Sequence, residues 1–190
     1  RSNAKTVHAH SPGLAKRESA LTLSRMVHFT LFGIPVYIRP SFWVVLAIFG
    51  GALSISSVED LIYPALFVIA GFVAILSHEM GHALVGRKLG GGQQTIVLEL
   101  FGGLTSSHGM QLTRGGRALM ILAGPMMTLL LGIISLWLTW NIVAPVMTSY
   151  NLNFWDLAIS PFTAALISPK LYILSCLIMI GEWWTILNLL

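Results

Sequence analysis

Residues 61–91 read LIYPALFVIAGFVAILSHEMGHALVGRKLGG, a long apolar run that ends in charged residues and glycines. Its apolar part, Leu61 to about Val85, is long enough to cross a bilayer as one helix, which takes about 20 residues. Residues 90–92 are all glycine and predict the end of the helix, because glycine is a poor helix former. The stretch therefore predicts a membrane-spanning helix with ionisable residues near one end.

The composition of the whole chain agrees with a membrane protein. Hydrophobic residues make up 55% of the 190 residues and charged residues only 9%, whereas a soluble domain is about 25% charged. A disordered chain is excluded, since such chains are poor in apolar residues. The net charge is +4, but the basic residues are scattered, which argues against nucleic acid as a partner. The single Cys176 lies in an apolar stretch and predicts a buried thiol.

The other segments predict a mainly α membrane protein of about four transmembrane helices with a short β-hairpin or strand element. Residues 27–38 and 95–100 are rich in β-prone side chains and predict short strands. Residues 144–170 hold three prolines and predict a loop. The predicted spans are residues 41–56, Leu61 to about Val85, Arg117 to about Val143, and 171–190. The predicted organisation is a flexible basic tail over residues 1–27 and a transmembrane core over residues 28–190.

The placement of the basic residues predicts the orientation of the chain. With four spans, ten of the eleven Lys and Arg residues fall on one side of the membrane and only Lys170 on the other. Loops rich in Lys and Arg stay in the cytoplasm. We therefore expect a multi-pass integral membrane protein with a cytoplasmic N-terminus.

The chemistry is concentrated in His78-Glu79-Met80-Gly81-His82, an H-E-x-x-H motif on the predicted helix. Residues four apart lie about 40° apart around a helix, so both imidazoles can face one metal ion. Two neutral histidines suit zinc, which lowers the pKa of water bound to it. Glu79 lies beside them and can serve as the base. One helical turn thus provides two metal ligands and a proton acceptor.

The depth of the motif decides between a metal site and a chance match. A short pattern with three fixed positions also occurs by chance, as two interfacial histidines and a solvated glutamate at a helix end. Here, however, 17 mostly apolar residues precede His78, which places it about 25 Å along the helix. Ionisable groups inside a membrane are costly and usually functional. A metal site is the simpler explanation.

With this motif in an apolar helix, the chain resembles the site-2 proteases, which are intramembrane zinc metalloproteases that cut transmembrane substrates. Residues 78–83 match the family's H-E-x-G-H-A form, and weaker likenesses cover residues 28–190 in the family's order. These are residues 33–42 before the first span; Leu100-Phe101-Gly102-Gly103, similar to a Phe-Gly-Gly strand of one bacterial and archaeal branch; Ala123-Gly124-Pro125, similar to the start of A-G-P-x-x-N; and Asn188-Leu189-Leu190, similar to the start of N-L-L-P-x-x-P-L-D-G.

The resemblance implies a zinc site with three protein ligands. His78 and His82 are two of them, and Glu79 is the implied catalytic residue. The family's third ligand is the Asp of the L-D-G segment, which we expect beyond Leu190 in a longer chain. The carboxylates that could substitute for it in this sequence are Glu99, Asp156 and Glu182.

The resemblance also implies the substrate and its binding residues. The substrate would be a transmembrane protein, met within the lipid bilayer of a bacterial or archaeal cell membrane. Phe101, Gly102, Gly103 and Asn188 are the implied substrate-binding residues, with the glycine strand holding an unwound substrate by strand addition. A plain turn is the other interpretation of the two glycines. Thr128 departs from the family, which has Asn at that position.

Two other functions remain open from the sequence. A pseudoprotease would bind membrane segments without cutting them, but the intact His78, Glu79 and His82 argue against it. A metal transporter could use the same histidines, since such pathways often hold intramembrane His and Glu. A transporter has no need of Glu beside His at this spacing. No pattern specifies an oligomeric state.

Overall fold

The computed structural model describes residues 26–100, 102–109, 111–150 and 153–189. In this part of the chain, six α-helices and four β-strands follow one another. The strands are β1 (Val27–Leu31), β2 (Ile34–Ile38), β3 (Gln93–Glu99) and β4 (Gly102–His108). The helices are α1 (Pro40–Phe49), α2 (Ile62–Gly90), α3 (Arg114–Tyr150), α4 (Phe154–Ile159), α5 (Pro161–Ala165) and α6 (Pro169–Leu189).

The strands form one small sheet in the order β1-β2-β3-β4. The β1–β2 and β3–β4 pairs are antiparallel, whereas β2 and β3 are parallel. The β1–β2 turn consists of Phe32 and Gly33, both with positive φ, as a tight hairpin turn requires. Alternate side chains of β2 and β3 are buried and join a core with α1 and the second half of α2. That core includes Val36, Ile96, Leu98, Phe42, Ile75 and Met80.

Three helices are long and apolar enough to cross a membrane, within the described residues: Glu59–Gly90, Arg114–Ala144 and Pro169–Asn188. Together with the sheet they confirm the predicted fold class. Helix α2 has 29 residues and is about 43 Å long. At Gly81 it touches the backbone of α3, because a Cβ there would lie 2.8 Å from the carbonyl carbon of Ala123.

The first predicted span, residues 41–56, differs in the structure. It is the ten-residue helix α1, about 15 Å long, followed by the 3-10 turn Ala52–Ser54. The helix stops at Gly50-Gly51, where Gly51 has a φ of +88°. The predicted span was too long because it was based on apolar composition. The residues after Gly50-Gly51 are also apolar, but they do not continue the α-helix.

The N-terminal hairpin nevertheless lies at the C-terminal end of α2. The Arg87 guanidinium donates a hydrogen bond of 2.8 Å to the carbonyl oxygen of Phe32, and β2 pairs with β3, which follows α2. Residues 39–61 therefore run from the sheet back to the start of α2.

Two further predictions were wrong in detail. The predicted loop 144–170 is largely helical, with the end of α3 and the helices α4 and α5. Pro161 and Pro169 begin helices, where the missing N–H costs nothing, so prolines there were not loop signals. The polar sequence after the β-prone run 95–100 predicts a loop around His108, but His108 is the last residue of β4. Of the predicted tail, residues 1–25 lie outside the described residues, and Val27 begins β1.

Candidate metal centre

The two histidines of the motif converge on one point beside helix α3. Their ring centroids are 4.8 Å apart, and His78 is fully buried. A Cβ built on Gly124 would lie 2.7 Å from Nε2 of His78 and closer still to Nε2 of His82. Both Nε2 atoms thus border the same small space, which is open only because residue 124 is glycine.

The hydrogen bonds of the histidines fit a metal in that space. Nδ1 of His82 lies 2.7 Å from the carbonyl oxygen of Met120. A carbonyl only accepts, so Nδ1 carries the proton and Nε2 keeps its lone pair, as in metal-ligating histidines. Both nitrogens of His78 are buried without a hydrogen-bond partner among the described residues. Buried polar atoms nearly always have a partner, and a zinc ion beside Gly124 would be one for Nε2, whose lone pair could coordinate it.

The Glu79 side chain is buried against the sheet and is not exposed to solvent. It is 4% exposed, and the Thr105 hydroxyl on β4 lies 2.8 Å from its Oε2 and 3.2 Å from its main-chain oxygen. Gly103 of the same strand packs against its side chain, since a Cβ there would lie 2.6 Å from Cδ. A solvated glutamate at a helix end is therefore excluded. The strand fixes the carboxylate beside the histidine pair.

The other predicted site residues have mixed outcomes. Gly102 and Gly103 begin β4 rather than forming a plain turn, and Gly102 packs against the indole of Trp184. Asn188 is exposed, and its amide donates to the carbonyl oxygen of Trp184 in the same helix. Among the described residues, its side-chain hydrogen bond thus stays on α6 and does not reach the histidines. Phe101 lies outside the described residues.

The substitute carboxylates do not complete the site. Glu99 forms an exposed ion pair of 3.1 Å with Arg39, and Asp156 and Glu182 are exposed. Within the described ranges, no group of three His, Cys, Asp or Glu side chains could hold a metal. The two histidines are therefore the candidate metal ligands that the described residues bring together.

Sequence reasoning missed three residues of the site. Thr105 and Met120 lie 26 and 38 residues from their partners, and nothing local marks them. Gly124 belongs to the Ala123-Gly124-Pro125 motif, which was its only signal. Its steric role appears once α3 is packed against α2.

The structure thus brings a histidine pair and a buried carboxylate together on an apolar helix of spanning length. The chain belongs to the Peptidase M50B-like family, whose family model matches residues 61–188. Its fold is also that of the site-2 protease from Methanocaldococcus jannaschii. That match has a TM-score of 0.55 and 24% identity, over 83% of this chain and 63% of the other. The predicted resemblance to site-2 proteases is thereby confirmed.

The names of two curated relatives contain the words zinc metalloprotease. A Synechocystis protein named as a candidate zinc metalloprotease is 32% identical over 114 residues, which is 54% of this chain. The zinc metalloprotease MJ0392 of Methanocaldococcus jannaschii is 29% identical over 108 residues, or 57% of this chain. The matches span 29% and 30% of those two relatives. The matched parts of this chain thus correspond to about three tenths of the length of those relatives.

Proposed function

We propose that this chain forms the catalytic core of an intramembrane zinc endopeptidase that hydrolyses peptide bonds of transmembrane proteins, the reaction of regulated intramembrane proteolysis. The observation that carries the proposal is the convergence of both Nε2 atoms on the space beside Gly124, with Glu79 buried next to them. The names of the curated relatives support zinc as the metal.

The residues have distinct roles in this proposal. His78 and His82 would hold zinc through Nε2, and Met120 orients the His82 ring through Nδ1. When bound, zinc supplies a Lewis acid that polarises the peptide carbonyl and activates water. Glu79 takes the proton of the attacking water and passes it to the leaving amine. Thr105 holds the carboxylate in place for both transfers.

The sheet supports a way of presenting the substrate. Strand β4 is the last strand of the sheet, so one of its sides lacks a neighbouring strand within the described sheet. A helical substrate must unwind locally before its carbonyl can be attacked, and an extended segment can pair with a free strand edge. Gly102 and Gly103 lie at the start of that strand, beside Glu79 and Trp184.

The direct test is proteolysis by the full-length protein in liposomes with a substrate of one transmembrane segment. Cleavage should disappear after treatment with a chelator and return with added zinc. Substrate binding without cleavage in the zinc-loaded protein would favour the pseudoprotease. Zinc uptake into the liposomes without cleavage would favour the transporter.

Gly103→Ala should keep zinc and lose turnover by about 100-fold. The new methyl group would lie 2.6 Å from Cδ and 2.8 Å from Oε1 of Glu79, so the carboxylate must move, and general acid–base catalysis contributes about 10²–10⁴-fold. Zinc analysis and cleavage rates measure both effects. Gly115→Ala is the control, because a Cβ there meets nothing within 4 Å. Unchanged turnover in Gly103→Ala would contradict the position assigned to Glu79.

Thr105→Val should lower turnover by about tenfold, since the hydroxyl hydrogen bond to Oε2 of Glu79 is worth about 1.5–3 kcal/mol for a charged acceptor. Thr105→Ser keeps the hydroxyl and should retain most of the rate. The measurement is the cleavage rate at saturating substrate. Equal losses in both variants would assign Thr105 to packing instead.

We also propose a cytoplasmic N-terminus and a prokaryotic cell membrane as the location. Single cysteines at Thr30 and Asp156, both exposed, can be compared in a Cys176→Ser background. An impermeant maleimide added to intact cells should label position 156 and not position 30. The opposite result would invert the orientation.

A further inference from the structure

An apolar cavity of about 650 Å³ lies among α1, α2, α5 and α6, and Trp184 and Gly102 are among the residues that line it. Its walls include Phe42, Phe67, Phe162 and Trp183. His78, Glu79 and His82 are not among the residues that line it. The cavity therefore stops one side chain short of the histidine pair.

Trp184 is that side chain. Its ring lies at 87° to the ring of His78, with the centroids 6.5 Å apart. A Cβ built on Gly102 would overlap carbons of the Trp184 six-membered ring, so the indole lies directly on the strand at a place where only glycine leaves room. The ring thus closes the gap between α6 and β4, with the cavity on one side and His78 on the other.

In its position on Gly102, the Trp184 indole N–H lacks a hydrogen-bond acceptor among the described residues. The Nε1 atom of Trp184 is buried. A buried indole N–H usually finds an acceptor, and leaving it unpaired opposes the packing that holds the ring on Gly102.

The backbone of α6 packs against α3 on either side of Trp184. The neighbouring Thr185 hydroxyl lies 2.7 Å from the hydroxyl of Thr128 on α3. Gly181, one turn earlier, packs near the carbonyl oxygen of Thr128. Opening would therefore occur by rotation of the indole about its side-chain bonds, with α3 and α6 remaining together.

We propose that Trp184 is an internal gate that separates the apolar cavity from the His78–Glu79–His82 site and rotates off Gly102 to admit an apolar chain. The gate rests on the proposed function, because it matters only if a chain must reach Glu79. Its role is positional: in the closed position the ring touches the strand and His78, and in the open position its N–H is free to pair with an acceptor on the incoming chain.

The test measures access to position 79 without proteolysis. Glu79→Cys in a Cys176→Ser background of the full-length protein provides one thiol at the site, and EDTA keeps metal away from it. In liposomes, apolar N-cyclohexylmaleimide should label this thiol at least tenfold faster when Trp184→Ala is added. A charged maleimide, which does not pass through the apolar cavity, should show no such gain.

Two matched variants make the result decisive. Trp184→Phe keeps a ring without the unpaired N–H, so its labelling should be no faster than that of the parent. Trp137→Ala removes an exposed indole on α3 and should change nothing. Equal rates in parent and Trp184→Ala, or the same gain with the charged reagent, would overturn the gate. So would a Trp184→Phe rate as high as that of Trp184→Ala. Absence of proteolysis by the zinc-loaded full-length protein with Glu79 intact would instead count against the proposed function alone.

Discussion

Single substitutions in the His78–Glu79–His82 motif should affect zinc binding and turnover differently. His78→Ala or His82→Ala should lose both, because each removes one of the two Nε2 atoms that border the Gly124 space. Glu79→Gln should keep stoichiometric zinc and lose about 10²–10⁴-fold in rate, because the amide cannot accept the proton. Metal analysis of the purified full-length variants, together with cleavage rates, checks both statements.

Asn188→Ala is a useful control for this series. Asn188 is exposed, and its side chain forms a hydrogen bond within its own helix. The Asn188→Ala variant should therefore contain as much zinc as the parent protein. Stoichiometric zinc in a His78→Ala, His82→Ala double variant would falsify the ligand assignment. Loss of zinc in Glu79→Gln would instead make Glu79 a ligand rather than a base.

Gly124→Ala should abolish zinc binding although no ligand is changed. The added methyl group would lie 2.7 Å from Nε2 of His78 and closer to Nε2 of His82, so it occupies the space that a metal needs. Zinc content should fall from stoichiometric to background, and turnover with it. The measurement is zinc per protein after purification in a metal-containing buffer.

Gly132→Ala on the same helix is the matched control, because a Cβ there meets nothing within 4 Å. Alanine is also the better helix former of the two by about 1 kcal/mol, so neither substitution should weaken α3 by itself. Full zinc in a folded Gly124→Ala protein would show that the histidines bind elsewhere or not at all.

The sequence predicted what depends on neighbours along the chain. His78, Glu79 and His82 lie within about one helical turn, so their pattern alone indicates that they share a site. The glycines at 90–92 predicted the end of α2, and the structure ends it at Gly90. Residues 27–38 were predicted as a small hairpin or an edge strand, and in the structure β1 and β2 form a hairpin.

The features that the sequence did not predict are contacts between residues far apart in the chain and the exact ends of helices. The hydroxyl of Thr105 and the glycine at 124 acquire roles only when β4 and α3 pack on α2. Helix α1 was predicted too long, since apolarity is shared by helices and by the turn after Gly50-Gly51. Pro161 and Pro169 begin helices, a preference that is easily mistaken for a loop signal.

The parallel pairing of β2 with β3 sets the order in which the molecule can be assembled during synthesis. Val36 pairs with Ile96, about 60 residues later, and α2 lies between them. The ribosome must therefore deliver all of α2, and the chain must return to the same face of the bilayer, before the hairpin gains its neighbour. Strand β4, which carries Thr105, then joins β3. The support of Glu79 is thus completed only after the helix that carries it has been inserted.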